Sequence, residues 1–178
     1  MANVAATTKF GIKEVADVTF TSLDSGNKTL TFDTLKVSNL EFTAEEAFAR
    51  GGKGNPKLIA WDYNREATLT LQDALLSIET LGMIFGDVNS DTKVEIGADT
   101  YPGYYKVEGW TYGKTTEGEN KIFKFTIPKA KISSNVTLTM EAEGDPTVFD
   151  MTLTVMQTSV EGKKQPLVTL ELAEPEEA

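Results

Sequence analysis

The stretch ARGGKGNPKLIAWDYN, residues 49–64, places a glycine-rich turn between two runs of alternating apolar residues. Before the turn, the residues that share one phase of alternation are Leu40, Phe42, Ala44 and Phe48. After it, the residues that share one parity are Ile59, Trp61, Tyr63, Ala67, Leu69 and Leu71. Two extended limbs joined by glycines predict a β-hairpin of roughly ten residues per limb, about 33 Å long at about 3.3 Å per residue.

Such a hairpin is longer than a compact domain of this size needs, so its apolar residues would be only half covered in a single subunit. That marks residues 42–66 as an interface arm. The residues expected to mediate oligomerisation are Phe42, Phe48, Arg50, Gly51, Gly52, Lys53, Gly54, Asn55, Ile59, Trp61 and Tyr63. One local signal favours a helix instead, because Thr43 and Glu46 match a capping box. We expect the extended form.

Most other segments alternate as half-buried antiparallel strands do. DVTFTS and KTLTFD flank the turn residues DSGN and predict a hairpin. LKVSNLEF switches phase, which predicts a bulge or bend near Ser38–Asn39. Four later strands are predicted from KIFKFTI, NVTLTMEA, VFDMTLTVM and LVTLEL. Their inward positions are Phe123, Phe125, Ile127, Val136, Leu138, Met140, Ala142, Phe149, Met151, Leu153, Val155, Val168, Leu170 and Leu172.

One segment, DALLSIETLGMIFG, has helical spacing instead. Its apolar stripe comprises Ala74, Leu75, Ile78, Leu81, Ile84 and Phe85. Asp73 is the expected N-cap and Gly86 the expected C-terminal stop. The predicted fold is mainly β: an antiparallel β-sandwich or barrel flanked by one α-helix at about residues 73–85, with a long protruding hairpin arm. We expect one domain over residues 1–178, with an N-terminal arm at 1–12 and a frayed acidic tail at 173–178.

Composition excludes several kinds of function. The chain has 178 residues with 27 acids against 17 bases, giving a net charge of -10. A surface that acidic should repel DNA phosphates and anionic lipids. The absence of histidine and cysteine excludes Ser-His-Asp and Cys-His catalysis, imidazole metal sites and disulfides. The start MANVAATTKF has no Sec-type pattern and no apolar run approaches about 20 residues, so we expect folding in the cytoplasm and no membrane.

Two segments resemble ligand-binding loops without completing them. GGKGNPK lacks the Ser or Thr and the following helix that a phosphate loop requires, so a hairpin tip is expected. In DVNSDTKVE, residues 87–95, Asp87, Asn89 and Asp91 have the spacing of calcium ligands. However, Thr92 replaces the turn glycine and Ala98 replaces the bidentate carboxylate. An ordinary polar turn is therefore favoured, and no metal or other cofactor is predicted.

The segment YPGYYKVEGWTYG gathers five aromatic residues between Tyr101 and Tyr112. A carbohydrate or base-stacking platform is one interpretation, and aromatics divided between the core and a protein interface is the favoured one. The acidic pairs Glu45–Glu46 and Glu176–Glu177 are expected to be solvated. Because no nucleophile and base are seen to converge, we do not expect an enzyme.

Three segments together give the chain a resemblance to a known family. They are the N-terminal hairpin, FARGGKGNPKLIAWDYNREATLTLQDALLSIETLGMIFG, and FKFTIPKAKISSNVTLTMEAEGDPTVFDMTLTVM. The chain resembles the phage tail tube proteins, also called major tail proteins, over most of residues 16–172. The glycine-tipped segment, the R-x-x-T-L-T-L strand, the IPKAKI step and the GDP turn carry the resemblance. The aromatic segment and the acidic tail depart from the family pattern and leave the contacts with a sheath open.

This resemblance implies a β-sandwich with one helix, whose copies form rings, usually hexameric, stacked into a hollow tube for DNA ejection. The hairpin around Arg50–Asn55 would dock onto a neighbouring copy. Implied partners are further copies, other tail proteins (sheath or terminator, tape measure) and passing double-stranded DNA that is not specifically bound. The implied location is the phage tail of the virion, after assembly in the host cytoplasm.

The bore of such a tube would be wide enough for double-stranded DNA. If six subunits each supply four strands at about 4.8 Å spacing and about 45° tilt, the barrel has a backbone diameter of about 50 Å. Side chains leave a bore of about 40 Å, wider than a duplex of about 20 Å. We hypothesise that some of the excess acids line this bore. Alternatives are a capsid decoration or cement protein and another β-sandwich binding module, such as a carbohydrate-binding surface protein.

Overall fold

The computed structural model describes residues 9–14, 17–24, 28–75, 77–85, 92–133 and 149–174. Within these ranges the chain forms eleven strands and one helix. They are β1 (Phe10–Ile12), β2 (Asp17–Ser22), β3 (Thr29–Phe32), β4 (Leu35–Arg50), β5 (Lys57–Asp73), α1 (Ile78–Phe85), β6 (Tyr104–Thr115), β7 (Asn120–Ile132), β8 (Phe149–Val155), β9 (Ser159–Val160), β10 (Lys163–Lys164) and β11 (Thr169–Ala173). The predicted strand at NVTLTMEA lies outside the described residues.

Nine of the described strands form one antiparallel sheet. Seven follow the order β3-β2-β6-β7-β8-β5-β4, while β1 pairs with β6 and β11 pairs with β7. The remaining two, β9 and β10, form a small hairpin whose turn residues Glu161 and Gly162 have positive φ angles of 50° and 77°. Over the described residues the sheet does not close into a barrel. The predicted class, mainly β and sandwich-like with one helix and a long hairpin, is confirmed.

The core lies where the central strands present their alternate residues to one side. All four inward positions predicted for β8 are buried, and two of them sit directly opposite buried leucines of β5. These pairs are Leu69 with Leu153 and Leu71 with Met151. The predicted N-terminal hairpin is also present, with Val18 opposite Phe32 and both residues buried. Alternation therefore predicted the central strands correctly.

The helix begins five residues later than predicted, because strand β5 continues through Asp73. Asp73 pairs with Phe149 of β8 and is buried. Its carboxylate accepts hydrogen bonds from the Thr34 hydroxyl and, at 3.4 Å, from the Leu75 amide. The prediction that Asp73 is the N-cap is therefore wrong. Its carboxylate instead joins the end of β5 to Thr34, which lies between β3 and β4.

Ser77 caps the helix instead. Its hydroxyl accepts a hydrogen bond of 2.9 Å from the Thr80 amide, which is the geometry of an N-cap serving the third helical residue. The buried positions of α1 include Thr80 and Ile84, one turn apart. The prediction that Leu75 belongs to the apolar stripe is wrong, since Leu75 precedes the helix and is exposed. The predicted stop at Gly86 lies outside the described residues.

The leucines of strand β11 point in the predicted direction, but they are not buried as predicted. Leu170 pairs with Phe125 and Leu172 with Phe123, so both leucines share the face of β7 that points inward. Both leucines are nevertheless exposed among the described residues. Alternation reports the direction of a side chain, whereas burial also requires a second layer above it.

The buried tyrosine of β6 is held as the neutral phenol. Burial, followed by the nearby Asp24 carboxylate, raises the pKa of Tyr105 to about 12 from an ordinary value of 10.0. Its hydroxyl donates a hydrogen bond of 3.3 Å to the Met83 carbonyl, which connects the sheet to α1. A charged phenolate would be unfavourable at this position.

This pKa predicts a loss of stability in alkali. The contribution of Tyr105 is fully present below about pH 10, where the unfolded tyrosine is still protonated, and declines as pH rises from about 10 through about 12. Denaturant unfolding at several pH values checks this. The Tyr105→Phe variant should lose the part of the decline that comes from this phenol, and an unchanged decline would contradict the assignment.

A pair of leucines on β5 tests where the core ends. Leu69 is 0% exposed and Leu58 is 63% exposed on the same strand. Leu69→Ala should lower the free energy of unfolding by about 2–5 kcal/mol, as buried leucines do. Leu58→Ala should change it by less than about 0.5 kcal/mol in dilute protein. Similar losses in denaturant titrations of both variants would contradict the described boundary.

Candidate assembly surface

The hairpin of β4 and β5 extends beyond the rest of the sheet. The two strands pair from Leu35 with Asp73 to Arg50 with Lys57. On its other side, β5 pairs with β8 only between Thr68 and Asp73. Residues 42–66, called the arm below, therefore have no third strand within the described structure. Almost every residue of the arm is exposed. The predicted extended form is confirmed, and the competing capping-box helix is absent there.

The arm ends in an ordered glycine turn. The Gly51 amide donates a hydrogen bond of 3.3 Å to the Pro56 carbonyl, and the Asn55 amide donates one of 3.1 Å to the Gly52 carbonyl. Gly52, Gly54 and Asn55 have positive φ angles of 82°, 86° and 50°, a region that glycine and asparagine tolerate best. The turn joins two strands and precedes no helix, so the prediction of a hairpin tip is confirmed.

A bulge near the root of the arm reverses the alternation of β5. Thr43 pairs with Glu66 and Glu45 pairs with Tyr63, so β5 carries one extra residue between these pairs. Asn64, inside the bulge, has a positive φ of 49°. One extra residue exchanges the faces of every later side chain on that strand.

Two predictions about this hairpin are therefore wrong. Ile59, Trp61 and Tyr63 do not share a face with Ala67, Leu69 and Leu71, despite their common parity. The register shifts lie between Leu35 and Val37, Thr43 and Glu45, and Ala49 and Arg50, not at Ser38–Asn39. The phase switch in LKVSNLEF comes from one extra residue on β4, Lys36, between the Leu35–Asp73 and Val37–Gln72 pairs, so the bulge lies two residues before the predicted position.

Beyond the bulge, one face of the arm carries three large apolar side chains, Ile59, Trp61 and Tyr63, called the ladder below. They are 53%, 52% and 46% exposed. Their cross-strand partners are Ala49, Ala47 and Glu45 respectively. Small alanines beside Ile59 and Trp61 leave these side chains standing above the surface of the hairpin. The ladder is thus uncovered within the described structure.

The opposite face of the arm carries the other predicted aromatic residues. Phe42 pairs with Ala67 and faces the core side. Further out, the Lys57 ammonium lies 3.5 Å from the centre of the Phe48 ring, which is a cation–π contact. This contact ties the ring to the tip, and both faces of the arm therefore present apolar area.

Charge is segregated along the arm. The tip carries three exposed cations, Arg50, Lys53 and Lys57. The root carries four exposed acids and one cation, which are Glu45, Glu46, Asp62, Glu66 and Arg65. Within the described residues no ion pair satisfies any of these groups. The arm therefore has a positive end and a negative end about 20 Å apart at about 3.3 Å per residue.

A groove opens at the root of the arm. It has a volume of about 460 Å³, and its apolar lining residues include Ile12, Val37, Leu40, Phe42, Phe123 and Leu170. Strand β1, the start of β4, β7 and β11 contribute these walls. Ile12, Phe42 and Leu170 are about half exposed, so the groove is open to solvent in the described structure. Sequence reasoning missed this groove, since its walls come from five separate strands, with Thr111 of β6 beside the four that supply the apolar residues.

The remaining candidate sites give no chemical centre among the described residues. Residues 87–91 of the calcium-like loop lie outside the described residues, and among the described residues no cluster of acids could hold a metal ion. The aromatic segment is divided as favoured: Tyr105 is buried, whereas Tyr101 and Tyr112 are exposed. Trp110 packs edge-on against Tyr112 at 5.3 Å. No described helix has the length and apolarity needed to cross a bilayer.

Comparison with known proteins assigns the chain to a family. The sequence model of the YomU/Tube protein family matches residues 10–93 and 87–166. The chain is thus a structural protein of the phage-tail type. It belongs to the YomU/Tube protein family, which confirms the resemblance to tail tube proteins.

The search of solved structures finds distant likenesses, one of which is the cryo-EM structure of the anti-feeding prophage (AFP) baseplate, 6-fold symmetrised, with 12% identity and a TM-score of 0.45. The match covers 92% of this chain and 95% of that chain. No curated protein matches the chain significantly.

The bulge residue offers a test of the arm's geometry. Asn64→Val should strain the left-handed conformation by about 1–2 kcal/mol, whereas Asn64→Gly should not. In dilute protein, trypsin should therefore cut the Val variant within the arm roughly 5–30 times faster than the wild type. Equal cutting of the Val and Gly variants would contradict the positive φ at this position.

Proposed function

We propose that this protein self-assembles into hexameric rings stacked into a phage tail tube, the conduit for DNA ejection. The observation that supports this most directly is the uncovered ladder on an arm that projects from the sheet. A buried aromatic side chain removes about 150–250 Å² from water, so three half-exposed ladder residues leave about 300 Å² available. That is the size of a functional apolar patch on a soluble protein.

The net negative charge of the chain supports a role as a channel for DNA. A net charge of -10 disfavours binding of phosphates by counterion release, so passing DNA would not adhere to the wall. A bore of about 40 Å, built from four strands per subunit, would admit the duplex. In this proposal some acids line the bore. The protein has no enzymatic role and takes its place in the virion after assembly in the host cytoplasm.

The proposed partners follow from the position of a tube within a tail. Further copies contact one another through the arm. A sheath protein contacts the outside of the tube, a terminator protein its end and a tape measure protein its bore. The apolar area around the groove and ladder supports contacts between copies most strongly. A standard interface buries about 800 Å² per partner, so the ladder alone supplies less than half of one.

Electron microscopy of arm variants tests this function. Trp61→Ser should abolish rings and tubes in negative stain while leaving the free energy of unfolding of the dilute subunit within about 0.5 kcal/mol, because Trp61 is half exposed and outside the core. Tyr101→Ser is the matched control, since Tyr101 is an exposed aromatic residue outside the arm. It should assemble normally.

One outcome would overturn the proposal, and another would overturn only the role of the ladder. Wild-type protein that forms neither rings nor tubes at any concentration would contradict a tail tube and favour a cement protein. Normal tubes from Trp61→Ser would show that assembly does not need the ladder.

A further inference from the structure

We propose that Tyr104, Lys129 and Lys131 form a binding site for the phosphodiester backbone of DNA. These three residues, called the lysine clamp below, lie on the polar face of the sheet, which points away from the core. The inference rests on the proposed function for the source of the DNA, since in that proposal a duplex passes every subunit. The contacts that define the site all lie within a single subunit.

Two ammonium groups converge on one aromatic ring in the clamp. Tyr104 of β6 lies directly opposite Lys131 of β7. The Nζ atoms of Lys129 and Lys131 lie 4.1 Å and 5.8 Å from the centre of the Tyr104 ring, so the two ammoniums are within about 10 Å of each other. The electron-rich face of the ring attracts both cations and holds them at the surface.

A bulge in β7 allows both lysines to lie on this face. Between the Tyr105–Ala130 and Val107–Ile127 pairs, β7 has one more residue than β6. Ile127 and Ala130 are therefore both buried in the core, although their positions differ in parity. The two lysines flank Ala130 and point the opposite way, towards the Tyr104 ring.

The positive charge of the clamp is not neutralised within the part of the chain that the structure describes. No acid there forms an ion pair with either lysine of the clamp. The neighbouring Lys106 is paired with Glu108 at 2.8 Å, and the Asp24 carboxylate accepts a hydrogen bond of 3.1 Å from the Tyr104 amide. Because two like charges this close repel each other, an anion that lies between them is attracted by both.

Further lysines on the same face favour an extended anion over a small one. Lys124 and Lys114 share the face of Tyr104 and lie about 20 Å and about 33 Å from it along the β6–β7 pair, at about 3.3 Å per residue. Glu171 lies opposite Lys124, so the clamp remains the most positive part of this line. A DNA backbone can reach several of these positions at once, whereas an inorganic anion reaches one.

The contact carries no sequence preference and is weak. The ammoniums occupy the face of the ring on which a base would stack, so the clamp contacts phosphates, which are the same in every sequence. The net charge of -10 keeps the rest of the subunit from adding to the affinity. The clamp can therefore guide a moving duplex without retaining it.

Fluorescence anisotropy with a short labelled DNA duplex tests the clamp in dilute subunits. The wild type should lose about tenfold in affinity between about 50 and about 200 mM salt, as expected for about two phosphate contacts. The double variant Lys129→Gln/Lys131→Gln should lose most of the low-salt affinity and most of this salt dependence. The matched control is Lys163→Gln/Lys164→Gln, which removes the same charge from two exposed lysines of β10 and should bind like the wild type. Equal losses in both double variants would overturn the clamp.

The role of Tyr104 as a positioning residue is tested by a pair of substitutions. Tyr104→Leu removes the aromatic face that holds the ammoniums and should weaken duplex binding, whereas Tyr104→Phe retains the face and should preserve it. The free energy of unfolding of both variants shows whether the sheet is intact. Loss of binding in the Phe variant, or its retention in the Leu variant, would contradict this role.

Lysine acylation of the wild type tests the same site without any substitution. The duplex should protect Lys129 and Lys131 from acylation and leave Lys163 and Lys164 reactive. Equal protection by inorganic phosphate at the same phosphate concentration would show a site for an isolated anion and overturn the DNA assignment. Equal protection by polyglutamate would show a site for acidic protein and overturn it as well.

The results separate this inference from the proposed function. Tubes from a wild type whose clamp binds no duplex would overturn the clamp and leave the tube intact. A clamp that binds the duplex in a protein that forms no tubes would support the site and contradict the tube.

Discussion

Among the described residues, the outer part of the β4–β5 hairpin has neither a third strand nor a covering layer, and this is the constraint on which the rest of the structure depends. Two isolated strands are marginally stable in water, because they bury little apolar area against the entropy of ordering the chain. The arm nevertheless carries Ile59, Trp61 and Tyr63 on one face and Phe42 and Phe48 on the other. Such side chains gain stability only when another surface covers them.

The bulge at Asn64 determines which face of the arm each apolar side chain occupies. Without the extra residue, the ladder would share a face with Phe42 and the core, and the arm would be a one-sided extension of the sheet. With it, the apolar side chains divide between two faces. In the proposed assembly, one of these faces contacts a second copy. A single residue in a left-handed conformation thus determines which side chains each face of the arm presents.

Sequence alternation predicted the central strands and the hairpin, since strands with one buried face have a fixed period of two. Alternation gave wrong predictions at Asp73 and at Asn64, because in both places strand pairing, which the sequence does not show, determines the structure. Asp73 resembles a helix cap, and only its pairing with Phe149 shows that the strand continues. Asn64 shifts parity without any change in the apolar pattern. The groove at Leu170 could not be predicted from the sequence, because five strands that are distant in sequence form it.

Amide hydrogen exchange of residues 43–66, compared between dilute subunits and assembled protein, tests the central claim most directly. The account predicts rapid exchange in the dilute subunit, because nothing described there covers the two strands, and strong protection after assembly. The core strand β8 should be protected in both states and serves as the internal reference. Strong protection of the arm in the dilute subunit, or its rapid exchange in assembled protein, would contradict the account.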